Sequence, residues 1–149
     1  MYMFQKILVP VDGSDTAWKA LKTAAALASR FQGEIRVFTV MEPYNSLSLF
    51  QITLDQNLLD RSNREMKKAS LAVLDTAKEK LTEYGFHGKV SYEDGEGNPA
   101  ELILEKSRED GCDSVVIGSR GLSGITEFLL GSVSSKVSQY AEVPVFVVK

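Results

Sequence analysis

Apolar and polar positions change period several times along the chain, and the changes mark its elements. Lys6 to Val11 (KILVPV) is a nearly continuous apolar run, as a strand shows when helices cover both faces of its sheet. From Ala17 the apolar residues fall three and four apart, at Ala20, Leu21, Ala24, Leu27, Ala28 and Phe31, which is helical spacing. Ser14 or Asp15 supplies the cap and Gly33 the stop. Glu34 to Met41 (EIRVFTVM) follows at once as a second strand. Strand, helix and strand in this order form a crossover unit, which is right-handed in nearly all known sheets.

From Glu42 to about Asp60 there is no clear period, yet Leu47, Leu49, Phe50, Ile52 and Leu54 are too apolar for a solvated linker, so the stretch reads as a flap or part of an interface. Met66, Ala69, Val73, Ala77, Leu81 and Tyr84 then share one face of a long helix that ends before Gly85. Lys89 to Glu93 is a short third strand with Val90 and Tyr92 on one side. Asn98 caps the next helix, Pro99 occupies its first position, where a missing N–H costs nothing, and Glu101 can reach back to the cap. That helix runs to Gly111, Ser114 to Ile117 is the fourth strand, and a glycine-rich stretch spans Gly118 to Gly131. A last helix begins near Ser132, and Val143 to Lys149 closes the pattern as a fifth strand.

Strands alternating with helices, without internal repeats, predict a single domain over residues 1–149: an open five-stranded parallel sheet, Rossmann-like, with helices on both faces. Ligands of such sheets bind beyond the carboxyl ends of the strands, where the strand order reverses. The residues after Val11, Val40 and Ile117 are therefore the places to search for chemistry.

Composition narrows the partners. With 44% hydrophobic and 25% charged residues the chain has the makeup of a folded globular protein and not of a disordered one. A net charge of −3, with no stripe of Lys and Arg, argues against nucleic acid. Cys112 is the only cysteine, so no intramolecular disulfide can form. His87 is the only histidine, and no metal or triad motif surrounds it; it reads as a surface residue. The first residues run straight into a strand without a cleavage pattern, and no apolar run approaches the roughly 20 residues that span a bilayer. Both features point to a cytoplasmic protein without a membrane partner.

The densest chemistry follows Ile117, in GSRGLSGITEFLLGSVSSKV. Glycines at Gly118, Gly121, Gly124 and Gly131 let backbone approach a bulky anion, and Ser132, Ser134 and Ser135 open a helix whose free N–H groups favour negative charge. By composition alone the stretch also reads as a flexible surface connection. Arg120 within it reads either as a neutraliser of phosphate charge or as a solvated loop residue. Gly95-x-Gly97-x-x-Ala100 formally meets a dinucleotide fingerprint, but Pro99 removes a needed N–H and the following strand ends in Ile117-Gly118 without an acid for a ribose. No glycine stands at Walker spacing from Gly-Lys-Ser or Gly-Lys-Thr.

The pattern Gly118-x2-Gly121-x9-Gly131-Ser132 resembles the ATP-binding signature of the universal stress protein family. KILVPVDGS, GNPAELI and VPVFVVK agree with that family in order, so the resemblance spans nearly the whole chain, with Glu42 to Asp60 unmatched. It implies an adenine nucleotide alpha hydrolase-like fold that binds ATP, with Mg²⁺ bridging the phosphates. Asp12 would lie beside adenine and ribose with Pro10 and Val11 next to it, and Val40 would line the adenine pocket. Gly118 and Gly121 would face ribose and phosphate, while Gly131, Ser132, Val133 and Ser134 would cradle the β- and γ-phosphates. Without the resemblance, Asp12 reads as a turn residue in VDGSD and Val40 as core.

A homodimer through the last strand is expected on two grounds. Val143, Val145 and Val147 alternate with Pro144, Phe146 and Val148, so both faces are apolar on a strand that would otherwise be a bare edge; the resemblance implies the same pairing. The expected function is a nucleotide-dependent switch or adaptor in the stress response. No general base is paired with a nucleophile, so the chain is at most a slow ATPase. Two alternatives stay open. A nucleotide-hydrolysing or nucleotidyl-transferring enzyme of the same broad fold usually carries a histidine motif where this chain has Asp12-Gly13-Ser14-Asp15. A dimeric interaction module that binds no nucleotide typically lacks the glycine spacing.

Overall fold

The computed structural model describes residues 3–42, 56–120 and 131–149. Strands β1 (Lys6–Pro10), β2 (Glu34–Met41), β3 (Val90–Glu96), β4 (Ser114–Gly118) and β5 (Val145–Val148) alternate with helices α1 (Asp15–Phe31), α2 (Gln56–Glu83), α3 (Pro99–Glu109) and α4 (Ser132–Tyr140). All neighbouring strands are parallel, in the order β3-β2-β1-β4-β5. The chain walks outward from β1 to β3, returns to β4 on the other side of β1, and walks outward again. The predicted open parallel sheet is thus the observed one, and its order reverses between β1 and β4.

Hydrogen bonding along β1 explains why a gap opens there. Glu34 N–H donates to the Gln5 carbonyl at 2.8 Å and Val11 N–H to the Phe38 carbonyl at 2.9 Å, so the odd-numbered residues face β2. Asp113 N–H donates to the Lys6 carbonyl at 2.9 Å, so the even-numbered ones face β4. Pro10 therefore turns toward β4, where it has no N–H to give. The β1–β4 register runs only through Ile7↔Ser114 and Leu8↔Val115, and beyond it the carboxyl ends separate.

Alternation along the strands divides the core in two. Ile7, Val9, Ile35 and Val37 pack against Ala20, Leu21, Ala24 and Ala28 of α1 and Ala77 and Leu81 of α2. On the other face, Leu8, Phe38, Val115 and Ile117 pack against Ala100 and Ile103 of α3 and Val137 of α4. Among the described residues no helix is long and apolar enough to cross a membrane.

Several boundaries differ from the sequence pattern. Gln32, not Gly33, holds the left-handed position that ends α1, with φ 57°. Gly33 answers a different need, since a Cβ there would overlap the Phe4 carbonyl. Helix α2 begins at Gln56, inside the stretch without a period, and buries Ser70, Leu74, Ala77 and Leu81 while Ala69 is exposed. Strand β3 continues past Glu93 to Glu96, because its backbone stays in register with Met41 through residues of low strand propensity. Strand β5 is four residues long, beginning after Pro144. Leu47, Leu49, Phe50, Ile52 and Leu54, which carry the flap or interface reading, lie outside the described residues.

Candidate functional site

The gap between β1 and β4 forms a cleft of about 310 Å³ at the carboxyl end of the sheet. Phe38, Val40 and Ile117 of the strands, with Pro99 and Ile103 of α3, give it an apolar floor. Pro10, Val11 and Asp12 border it from the end of β1, and Gly118, Gly131, Ser132, Val133 and Ser134 from the other side. Pro10–Asp12, Val40, Gly118 and Gly131–Ser134 are the residues singled out in the sequence, brought together from four separate stretches. Gly121, the remaining one, lies outside the described residues, as does Gly124.

Each border is built locally. After β1 the chain turns through Gly13, at φ +88°, and the Asp12 carboxylate accepts the Ser14 N–H at 2.9 Å. Asp12 is thus a turn residue and also an exposed acid on the rim. Ser14 caps α1 by accepting from Ala17 N–H at 3.3 Å. Its hydroxyl also donates to the Arg120 carbonyl at 3.3 Å, and Thr16 both donates to that carbonyl at 2.7 Å and accepts from Arg120 N–H at 3.3 Å. The first turn of α1 thereby holds the backbone of Arg120.

Ser119 joins the two ends of the glycine-rich stretch. Its N–H donates to Val148, and its carbonyl accepts from Gly131 N–H at 2.7 Å and from the Ser134 hydroxyl at 3.1 Å. Because Ser134 is buried and donates to the carbonyls of Ser119 and Gly131, its hydroxyl serves the clasp, and Ser132 is the exposed hydroxyl at the helix start. Gly131 is the N-cap of α4 and offers no side-chain hydrogen bond. The opening N–H groups of a helix have no intrahelical partner, and the residues that carry them here, Ser132, Val133 and Ser134, line the cleft at the positive end of the helix dipole.

The glycines differ in why they are glycines. A Cβ on Gly118 would stand 2.6 Å from Thr16 Oγ1 and 2.8 Å from Ala17 N, so this residue lets α1 lie close on β4, whatever the cleft holds. Gly131, at φ −63° and ψ 158°, has dihedrals that any residue adopts. In the dinucleotide-like run, Gly95 belongs to β3 and Gly97 is a turn at φ +147°, so that fingerprint is not a loop opening a helix.

Asp12 and Arg120 are the only ionisable side chains among the described residues lining the cleft. Charge gathers instead beside β2 and β3. There Arg36 pairs with Glu34 at 3.5 Å and Asp110 at 3.2 Å, and Lys106 pairs with Asp110 and Glu93. Partial burial of Glu34 works against its charge, but Lys89, Lys6 and Arg36 outweigh it and hold the carboxyl below its ordinary value. Burial of Lys106 is likewise outweighed, by Glu93 and Asp110, and its pKa is raised. Cys112 is buried next to Asp110, which pushes its thiol up to about 11. Among the described residues no three His, Cys, Asp or Glu side chains are grouped to hold a metal.

Phe38 is one of three floor residues, with Pro99 and Ile103, that the sequence pattern did not assign to the site. It stands two positions before Val40, on the same face of β2, so strand periodicity from Val40 would have found it. Ile103 and Pro99 face the cleft only because α3 crosses that end of the sheet, which no local pattern records.

A parallel sheet with a reversing order and an apolar cleft at the reversal places the chain in the doubly wound α/β class. Within it, the chain belongs to the universal stress protein family, whose profile matches residues 3–149. It is 41% identical over 150 residues to universal stress protein YxiE of Bacillus subtilis, covering 99% of this chain and 100% of that one. The solved structure of MJ0577, a universal stress protein of Methanocaldococcus jannaschii, superposes with a TM-score of 0.80 at 28% identity, over 99% of this chain and 96% of that one. A universal stress protein solved in complex with cAMP superposes with a TM-score of 0.69 at 23% identity, over 98% of this chain and 97% of that one.

Proposed function

We propose that the chain binds ATP in this cleft and acts as a nucleotide-dependent switch or adaptor in the stress response of a cytoplasmic compartment. The observation that carries the reading is the pairing, within one cleft, of an apolar floor at Phe38, Val40, Ile103 and Ile117 with the uncapped start of α4 at Ser132 and Val133. A purine asks for a flat apolar surface, and a phosphate chain asks for convergent N–H donors. The cleft volume, about 310 Å³, is at the small end of the range for small-molecule sites. That a universal stress protein of the same fold was solved with a bound adenine nucleotide, cAMP, agrees with this reading. The described residues offer Mg²⁺ no cage, so the ion would travel on the phosphates.

Turnover at this site is at most slow. Asp12 is the only carboxylate among the described residues lining the cleft, and it already accepts the Ser14 N–H. His87 belongs to the opposite end of the sheet, with Gly33 and Lys89. A homodimer through β5 is the second part of the proposal. This strand ends the sheet, and Phe146 on it is 39% exposed and packs on Phe4, which packs in turn on Phe31. A second copy of β5 would cover that edge. Mass spectrometry of nucleotide released on denaturing the purified protein, followed by calorimetric titration with ATP, tests the binding: co-purifying adenine nucleotide and saturable heat are expected. Absence of both would overturn it.

A further inference from the structure

Gly95 is a glycine that its backbone does not require. It sits inside β3, paired with Val40, and its φ lies outside the left-handed region, unlike that of Gly97 two residues on. Glycine inside a strand is unfavourable, since it orders a freer backbone and packs nothing. The reason therefore lies in what a side chain would meet. A Cβ on Gly95 would come 3.0 Å from Phe38 Cζ and 3.3 Å from its Cε1, closer than such atoms normally approach.

The Phe38 ring has little room to give way. Its backbone is fixed by pairing with Pro10 and by the Val11 N–H, and the residue is 5% exposed. Lys106 Nζ stands 5.6 Å from the ring centroid. Strand β3 flanks β2 on one side, and the cleft lies on the other, over β1 and β4. A group added at Gly95 would press the ring away from β3, toward the cleft that Phe38 lines with Ile103 and Ile117.

We infer that Gly95, which is not itself among the described residues lining the cleft, sets how far the Phe38 ring enters it and so the thickness of planar ligand the floor accepts. The steric half stands on the contact alone; the identity of the ligand, a purine base, rests on the nucleotide reading above. Gly95 is a positioning residue acting through Phe38. Two consequences separate this from a role in stability. A residue with a side chain suits a strand better than glycine, so Gly95→Ala leaves the fold as stable or more so while weakening the ligand. With the ring trimmed, the same substitution at Gly95 should cost less affinity.

The test compares wild type, Gly95→Ala, Gly95→Val, Phe38→Leu and the Gly95→Val/Phe38→Leu double variant by methyl NMR of the ligand-free protein, thermal denaturation and calorimetric titration with ATP. The Ile103 and Ile117 methyl resonances shift in Gly95→Ala and further in Gly95→Val, as the aromatic ring moves against them. Affinity for ATP falls by about threefold and about tenfold respectively, without a drop in melting temperature. In the Phe38→Leu background the Gly95→Val change costs less affinity than it does beside the Phe38 ring. Unmoved methyl resonances would overturn the inference, and so would a loss of affinity that Phe38→Leu fails to relieve or that appears only with a lower melting temperature. Should wild type bind no ATP, the nucleotide reading falls, and the methyl shifts of the ligand-free protein alone decide the steric claim: movement upholds it and its absence refutes it.

Discussion

The two flanks of β1 use different chemistry. Beside β2 and β3, Lys6, Glu34, Arg36, Lys89, Glu93, Lys106 and Asp110 form a continuous set of ion pairs that tie three strands to α3. Over β1 and β4, the described cleft has two ionisable side chains, an apolar floor and the start of a helix. Charge concentrates where strands and α3 are cross-linked, while the described lining of the cleft is mostly apolar and ends at the start of α4. Variants on the cleft side should therefore alter ligand binding through geometry, and variants on the charged side should alter stability as pH changes without touching the ligand.

The largest effect expected is at Gly118. Its Cβ would collide with the backbone of Thr16, 2.7 Å from the carbonyl carbon, so Gly118→Ala must push α1 off β4. A loss of about 2–3 kcal/mol in chemical denaturation is expected, on the scale of overpacked cores. Gly131→Val should behave differently, because its dihedrals suit any residue. A branched side chain at this cleft-lining cap should crowd a ligand at the start of α4, so ATP affinity falls about tenfold, or ~1.4 kcal/mol, with little change in melting temperature.

Thr16→Val removes the donor and the acceptor that hold Arg120, at 2.7 and 3.3 Å, and should weaken the protein by about 1 kcal/mol. Hydrogen exchange at the Arg120 amide would quicken in Thr16→Val and return to normal in Thr16→Ser, which keeps the hydroxyl. If Thr16→Ser exchanges as fast as Thr16→Val, the hydroxyl is not what holds the loop.

On the charged flank, Glu34 has a folded pKa below its ordinary value, so its ion pairs contribute fully above the unfolded pKa of about 4.3 and are lost as pH falls through the folded one. Denaturation midpoints of wild type should drop across that acid window more steeply than those of Glu34→Gln, while ATP affinity at neutral pH stays the same in both. Arg120→Ala should do least. Its backbone stays held by Ser14 and Thr16, and one partly exposed charge contributes roughly 0–1 kcal/mol to binding. Calorimetry showing a larger loss there than in Gly131→Val would mean that charge dominates the cleft after all.

Much of this was legible in the sequence because strands, helices and caps leave local marks. Asn98-Pro99 opened α3 as read, and Ser14 capped α1. The border of the cleft was equally legible, since the residues ending β1, β2 and β4 and opening α4 face a common point once the sheet is parallel. What escaped was set by contacts distant in sequence. The reason for Gly118 lies in Thr16, that for Gly33 in Phe4, and that for Gly95 in Phe38. A glycine read from its own neighbourhood suggests a turn or an anion, whereas each of these makes room for another segment. The extension of β3 through Asp94 and Gly95 escaped for the same cause, being held by β2 and not by propensity.

In the proposed binding mode the start of α4 and the floor of the cleft receive one ligand together. Amide NMR during titration with ATP measures this most directly. The predicted result is saturable movement of the Ser132 and Val133 amides in step with those of Phe38 and Val40, while Glu34, His87 and Lys89 at the opposite end of the sheet stay still. Movement confined to that opposite end, or a floor and helix start that respond with different affinities, would contradict it.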